Sequence, residues 1–174
     1  NKFCRNRHRK CKFQSTTHTQ RKFMISNIPR GALILALLGV VPFAWGVTTL
    51  ISDQAFNFGI DNFGARFVGP LIQLSYGIII LSFMSGVLWG FATKMDKNNA
   101  SQGYILSVIP ALWAFFSMGR GPISDTISLI VGFVAVLLID RYFYLLKLTP
   151  SWWMSLRISV TILVVSLLVL GIII

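Results

Sequence analysis

The polar residues that could do chemistry in the apolar part of this chain are few, and Asp140 is the most informative of them. Asp140 precedes Arg141 near the end of one apolar run, and Arg157 lies near the start of the next. A carboxylate at membrane depth is costly unless it is paired. We therefore expect Asp140 and Arg157 to form a structural ion pair across the turn at Pro150.

A proton or ion relay through Asp140 is the alternative hypothesis. A relay needs further titratable groups at depth, and residues 31–174 contain no glutamate, histidine or cysteine. Tyr76 and Ser82 are further polar side chains within the second predicted helix. Asp125, near the start of the fourth, is expected to interact favourably with the positive N-terminal end of that helix's dipole. No nucleophile with a base partner, phosphate-binding loop or haem ligand pair occurs. The sequence thus predicts no catalytic residue, no cofactor and no metal site, and a protein that is not an enzyme.

Residues 1–23 differ from the rest because they are basic and contain no acidic residue. Half of the 16 lysines and arginines precede Met24, which explains most of the net charge of +11. Two interpretations stay open, a translated extension or leader and a basic cytoplasmic tail. Residues 1–23 also contain every cysteine and histidine of the chain, which are Cys4, His8, Cys11 and His18. Their spacing fits neither paired zinc knuckles nor a zinc finger. We expect no nucleic-acid partner.

The elements that must position Asp140 and Arg157 are long apolar runs. The chain is 55% hydrophobic and 12% charged, well below the charged fraction of about 25% that soluble domains carry. A bilayer core of about 30 Å needs about 20 apolar residues per helix. The sequence predicts an all-α membrane domain over residues 24–174, a bundle of five transmembrane helices at about 31–51, 69–92, 102–118, 123–146 and 155–174.

The lysines and arginines of the short loops predict the orientation of this bundle. One side carries Arg30, Lys94, Lys97, Arg141, Lys147 and Arg157, and the other carries Arg66 and Arg120. The positive-inside rule then places the N-terminus inside and the C-terminus outside. Amphipathic rings and cations near the inner face are expected to act as interfacial anchors: Arg141, Tyr142, Trp152 and Trp153.

Two further patterns concern the shape of the helices. Pro42 and Pro110 lie inside predicted helices, where each is expected to produce a kink. The segment 52–68 places Phe56, Ile60, Phe63 and Phe67 at helical spacing, which predicts an interfacial helix, with a lid broken at Gly59 and Gly64 as the alternative.

Small residues recur at every fourth position of the second predicted helix, at Ser82, Gly86 and Gly90, with Trp89 beside them. Small residues at this spacing let helices approach closely in lipid. The main interpretation is packing between helices of this chain, and the alternative is an interface with a second copy or a partner subunit.

Short segments along the whole apolar region carry a family resemblance. They are Leu38-Gly39-Val40-Val41-Pro42-Phe43, Tyr76-Gly77, Leu81-Ser82-Phe83, Trp89-Gly90, Pro110-Ala111-Leu112-Trp113, Gly132-Phe133 with Asp140, and Trp152 with Leu156-Arg157 and Thr161. Over about residues 31–174 the chain resembles the transmembrane protein 69 family, domain of unknown function 3429. The resemblance implies a small polytopic protein of bacterial inner membranes, with relatives in the mitochondrial inner membrane, and no established activity. It makes Trp89, Asp140 and Arg157 candidates for structural or interaction roles.

Two functions are compatible with these patterns. The first is a structural, assembly or accessory subunit of an inner-membrane complex, which the small-residue strip and the scarcity of reactive groups favour. The second is a small transporter or channel that uses Asp140. We expect a bacterial inner membrane, with the mitochondrial inner membrane as the alternative. A cavity reaching Asp140 would favour transport, and an exposed strip along Ser82, Gly86 and Gly90 would favour a partner.

Overall fold

The computed structural model describes residues 28–97 and 99–174, so the expectations for residues 1–23 lie outside the described part of the chain. This part contains seven α-helices and one short 3₁₀ turn at Ala65–Phe67. The helices are α1 Arg30–Leu38, α2 Val41–Ile51, α3 Asp53–Phe63, α4 Gly69–Ala92, α5 Ala100–Ser117, α6 Pro122–Leu145 and α7 Trp153–Ile173.

Five spans are long and apolar enough to cross a membrane, which confirms the predicted all-α bundle of five transmembrane helices. The first span consists of α1 and α2, and the other four are α4, α5, α6 and α7. Helix α4 lies at the centre, against α2, α5, α6 and α7. The largest fully buried side chains fill the space around it: Phe43, Phe143, Leu81, Leu88, Leu129 and Leu168. The inside and outside ends of the bundle stay a prediction.

The first span is interrupted next to Pro42. Helix α1 ends at Leu38 and α2 begins at Val41, with Pro42 in the first turn of α2. Because proline has no backbone N–H, the carbonyl one turn before it loses its helical partner. The interruption separates α2, which buries Phe43 and Val47, from α1, which has no buried residue.

Pro110 lies buried within α5, which continues through it from Ala100 to Ser117. The backbone N–H of the next residue, Ala111, donates to the hydroxyl of Ser85 on α4 at 2.9 Å. A neighbouring helix therefore satisfies a backbone group beside the proline, as proline inside a transmembrane helix requires.

Replacing Ser85 by alanine removes this acceptor, and we expect it to lower the stability of the protein by about 1 kcal/mol. The measurement is thermal unfolding in detergent, with Ser159→Ala as the control because Ser159 is exposed and bonds only within its own helix. Equal unfolding temperatures for the two variants would contradict the role assigned to Ser85.

A buried glutamine, which the sequence patterns did not single out, ties three spans together. Gln73 on α4 is 1% exposed, and its Nε2 donates to the carbonyl of Phe43 on α2 at 3.0 Å and to that of Leu167 on α7 at 3.5 Å. Gly46 and Gly171 leave room for it, since a Cβ on Gly171 would lie 2.7 Å from Gln73 Oε1. This amide supplies a polar bond where association in lipid depends on close packing and hydrogen bonds.

The segment 52–68 contains a helix, as predicted, and its position at the membrane interface stays a prediction. Helix α3 begins at a cap in which Ser52 Oγ accepts from the N–H of Ala55, and it ends at Gly64, whose φ is +87°. Gly59 does not break it, because Gly59 is buried and packs against Val68. The apolar side chains of the segment remain on the surface of the bundle: Phe56, Phe58, Ile60, Phe63 and Phe67.

Candidate functional site

The structure brings Asp140 and Arg157 together in a buried ion pair. Arg157 Nε donates to Asp140 Oδ2 at 2.7 Å, and the Asp140 side chain is fully buried while that of Arg157 is 9% exposed. The indole Nε1 of Trp153 donates to the second oxygen, Oδ1, at 2.9 Å. The carboxylate is therefore held from both oxygens by donors of α7, and the pair joins α6 to α7.

Trp153 was expected only as an interfacial anchor, and its bond to Asp140 was missed. Trp153 and Arg157 are four residues apart on α7, so they project from the same helix face. Both can then reach one carboxylate on the facing helix. The ring of Phe91 packs edge-on against Trp153, with centroids 5.3 Å apart, and fixes the indole in this position. The i, i+4 spacing was the signal that could have revealed the contact.

Two donors on the same face of α7 have no hydrogen-bond partner among the described residues. They are Nη2 of Arg157 and Oγ1 of Thr161, both buried. Thr161 lies a further four residues along α7, so Trp153, Arg157 and Thr161 form one polar line on that helix. Beside it is a groove of about 430 Å³, which we call the α1–α7 groove, lined mainly by apolar side chains of α1, α2, α4 and α7.

The chemistry open to this site is narrow. Asp140 is fully buried and both of its oxygens accept hydrogen bonds, so it offers no free carboxylate to a substrate or an ion. Over residues 28–97 and 99–174, no group of three or more His, Cys, Asp or Glu is placed to hold a metal ion. The arrangement can hold two helices in register, and it leaves Arg157 Nη2 and Thr161 Oγ1 as buried donors beside the groove, without a partner among the described residues.

A second polar cluster closes the turn before α6. Asp125 lies in the first turn of α6, and its two carboxylate oxygens accept from the backbone N–H groups of Gly119 and Arg120, each at 3.0 Å. The Arg120 guanidinium donates to the carbonyl of Ser117 and to the hydroxyl of Ser128. The sequence predicts a favourable interaction between Asp125 and the dipole of its helix. The structure adds that its carboxylate holds the backbone of the preceding turn.

The remaining expected anchors lie near the end of α6 and the start of α7. Arg141 is exposed, whereas Tyr142 and Trp152 are half-buried. The ring of Tyr142 packs edge-on against Phe143, and that of Trp152 against Trp153. These contacts form two pairs of aromatic rings, one near the end of α6 and one at the start of α7.

The small-residue strip Ser82, Gly86 and Gly90 faces outward, and packing against another helix of this chain is therefore the wrong interpretation for its glycines. A Cβ added to Gly86 or Gly90 would meet nothing within 4 Å, and all three residues are exposed. The physical reason is that α4 turns its larger side chains to the core: Leu74, Leu81, Met84 and Leu88. Trp89 borders the strip, is 47% exposed and packs on the Tyr104 ring at 4.6 Å.

The fold and the site together define a small polytopic membrane protein that contains a buried, closed ion pair. The chain belongs to the family described as protein of unknown function, DUF3429, which matches residues 28–173. It is 31% identical over 152 residues to transmembrane protein 69 of Xenopus tropicalis, covering 83% of this chain and 54% of that protein. It is 26% identical over 139 residues to transmembrane protein 69 of Mus musculus, covering 77% and 52%.

The chain thus spans about half the length of these curated relatives. No solved structure matches the chain. The family match covers all five spans and includes Asp140, Trp153 and Arg157, so the whole described site lies within the shared region.

Proposed function

We propose that this protein is a non-catalytic structural, assembly or accessory subunit of a complex in a bacterial inner membrane, or in the mitochondrial inner membrane as the alternative. The observation that carries the proposal is the outward-facing strip Ser82, Gly86 and Gly90 on α4. A transmembrane helix of a partner subunit or of a second copy is the occupant that fits it.

The strip suits a partner helix because its glycines leave the backbone of α4 accessible. Close backbone approach is a principal source of helix association in lipid, where apolar surface alone gives no preference for protein over lipid. A Cβ on Gly86 would meet nothing within 4 Å, so a partner could approach this position without displacing the other described helices. Trp89 and Phe83, both exposed beside the strip, would add van der Waals contact at its edges.

Transport through Asp140 has less support. The α1–α7 groove reaches Arg157 but not Asp140, and its walls are mainly apolar. A carboxylate that is fully buried and bound by two donors would have to break both bonds before it could accept a proton or a cation. The ion pair therefore supports a structural role for Asp140 and Arg157.

Gly86→Leu tests the proposal, because a leucine at the centre of the strip would hold a partner helix away from α4. The tagged protein is purified in mild detergent from its native membrane, and companions are identified by mass spectrometry. A companion present with the wild type should be lost with Gly86→Leu. An untagged second copy of the chain is expressed alongside, so that self-association is detected in the same experiment.

Gly31→Leu is the matched control, since Gly31 is also an exposed helical glycine with nothing within 4 Å of a built Cβ. Retention of the companion by Gly86→Leu, or equal loss with Gly31→Leu, would show that the strip is not the interface. A wild-type protein that purifies alone would reject the accessory role. Ion flux in liposomes with Asp140→Asn would then test transport.

A further inference from the structure

We propose that the α1–α7 groove binds one acyl chain of a membrane glycerolipid, with ester carbonyl oxygens of that lipid accepting hydrogen bonds from Arg157 Nη2 and Thr161 Oγ1. The proposal goes beyond the accessory role, because it concerns a lipid-binding site on this protein alone and needs no protein partner. It depends on the shape of the groove, its side opening and the unpaired donors at its wall.

The groove has the length and the apolar lining that suit a single acyl chain. Its wall on α7 extends from Trp152 to Val164, which at a rise of about 1.5 Å per residue is about 18 Å. One leaflet of a bilayer core is about 15 Å thick, half of the whole. A groove of about 430 Å³ with these walls therefore matches an extended apolar chain within one leaflet.

The groove opens sideways on the surface that faces lipid. Leu35 on α1 and Phe83 on α4 both line it, and they are 71% and 64% exposed. The wall contributed by α1 and its C-cap carries small residues, Ala32, Ala36 and Gly39, and α1 buries no residue of its own. A lipid chain could enter between α1 and α4 from the bilayer and would give α1 a packing partner.

The polar groups at the wall indicate which atom of the lipid would lie there. Arg157 Nη2 and Thr161 Oγ1 are buried donors without a partner among the described residues, and both residues line the groove. An unsatisfied buried donor is costly, so an acceptor from the occupant would be stabilising. These donors lie one turn and two turns beyond Trp153, at the start of the helix, where a lipid's ester groups would meet them.

Charge favours an uncharged acceptor over a carboxylate or a phosphate. Asp140 already balances the single positive charge of Arg157 at 2.7 Å. A second anion in an apolar groove would leave an excess negative charge, which is costly at membrane depth. An ester carbonyl accepts the same hydrogen bond without adding charge.

The test measures lipid retention by the full chain in mild detergent, using native mass spectrometry with dioleoylphosphatidylcholine as the probe and oleic acid as the charged competitor. Wild-type protein should retain one phospholipid. Ala36→Phe places a ring in the groove from α1 and should weaken retention at least about tenfold, the effect of losing one good contact. Ala44→Phe is the matched control, because Ala44 is exposed on α2 and does not line the groove.

Thr161→Val gives a second test that keeps side-chain volume and leaves the ion pair intact. It should weaken retention several-fold without lowering the unfolding temperature of the lipid-free protein, because the buried hydroxyl has no partner there among the described residues. Equal retention by wild type, Ala36→Phe and Thr161→Val would overturn the groove as the site. Preferential retention of oleic acid would overturn the ester carbonyl as the bound group. Neither result depends on whether a protein companion is recovered with Gly86→Leu.

Discussion

Arg157→Leu is expected to destabilise the protein by about 3–5 kcal/mol, because it leaves the Asp140 carboxylate buried with no cation beside it. Asp140 would keep only the hydrogen bond from Trp153. Thermal unfolding in detergent, followed by circular dichroism, should show a large drop in the unfolding temperature. The effect arises from the uncompensated charge that remains, so it exceeds what the ion pair itself contributes.

The double variant Asp140→Leu with Arg157→Leu separates the cost of the uncompensated Asp140 charge from the contribution of the ion pair itself. Apolar replacement of both members of a buried pair is often neutral or stabilising, and we expect the double variant to recover most of the lost stability. Arg141→Leu is the matched control for removing an arginine, since Arg141 is exposed and adjacent to Asp140. A double variant as unstable as Arg157→Leu would show that the charge of Asp140 is not the cause.

Gly46→Val is expected to have the second-largest effect on stability. A Cβ on Gly46 would lie 2.5 Å from Gln73 Cγ and 3.1 Å from the backbone oxygen of Gly69, so α2 and α4 would have to separate. Overpacking of this kind costs about 1–3 kcal/mol and occasionally more. It would also displace Gln73 from the carbonyl of Phe43 and so weaken the bond between the first two spans.

Gly86→Val is the matched control for this prediction, because both glycines lie inside transmembrane helices and a Cβ on Gly86 meets nothing within 4 Å. The two variants are compared by thermal unfolding of the isolated protein in detergent. Gly46→Val should unfold at a clearly lower temperature than Gly86→Val. The same unfolding temperature for both would mean that the close approach of α2 and α4 adds no stability.

These stability measurements bear on the functional proposals. A variant such as Gly86→Leu is informative about a partner only if the isolated chain tolerates it, and the open space around Gly86 gives the reason to expect this. Ala36→Phe is informative about the lipid groove for a similar reason, because α1 buries no residue of its own. The ion pair, in contrast, cannot be altered singly without a large cost, so the groove is tested through Ala36 and Thr161.

The amino-acid sequence by itself determined the membrane architecture. Apolar runs of about 20 residues leave the chain no other way to satisfy its backbone than a helix across the bilayer, which is why all five spans could be predicted. The spacing of Phe56, Ile60 and Phe63 likewise predicted α3, because a helix of this period is a local property. In a bilayer, few structures other than a helix are compatible with such sequence patterns.

The tertiary structure alone decided which helix face meets which neighbour. The strip Ser82, Gly86 and Gly90 and the buried residues Ser85 and Leu88 belong to one helix, and its hydrophobicity has no preferred side. In lipid the outer and inner faces are both apolar, so periodicity carries no signal for burial. For the same reason the bonds of the buried Gln73 to Phe43 and Leu167 emerged only when α2 and α7 were brought against α4.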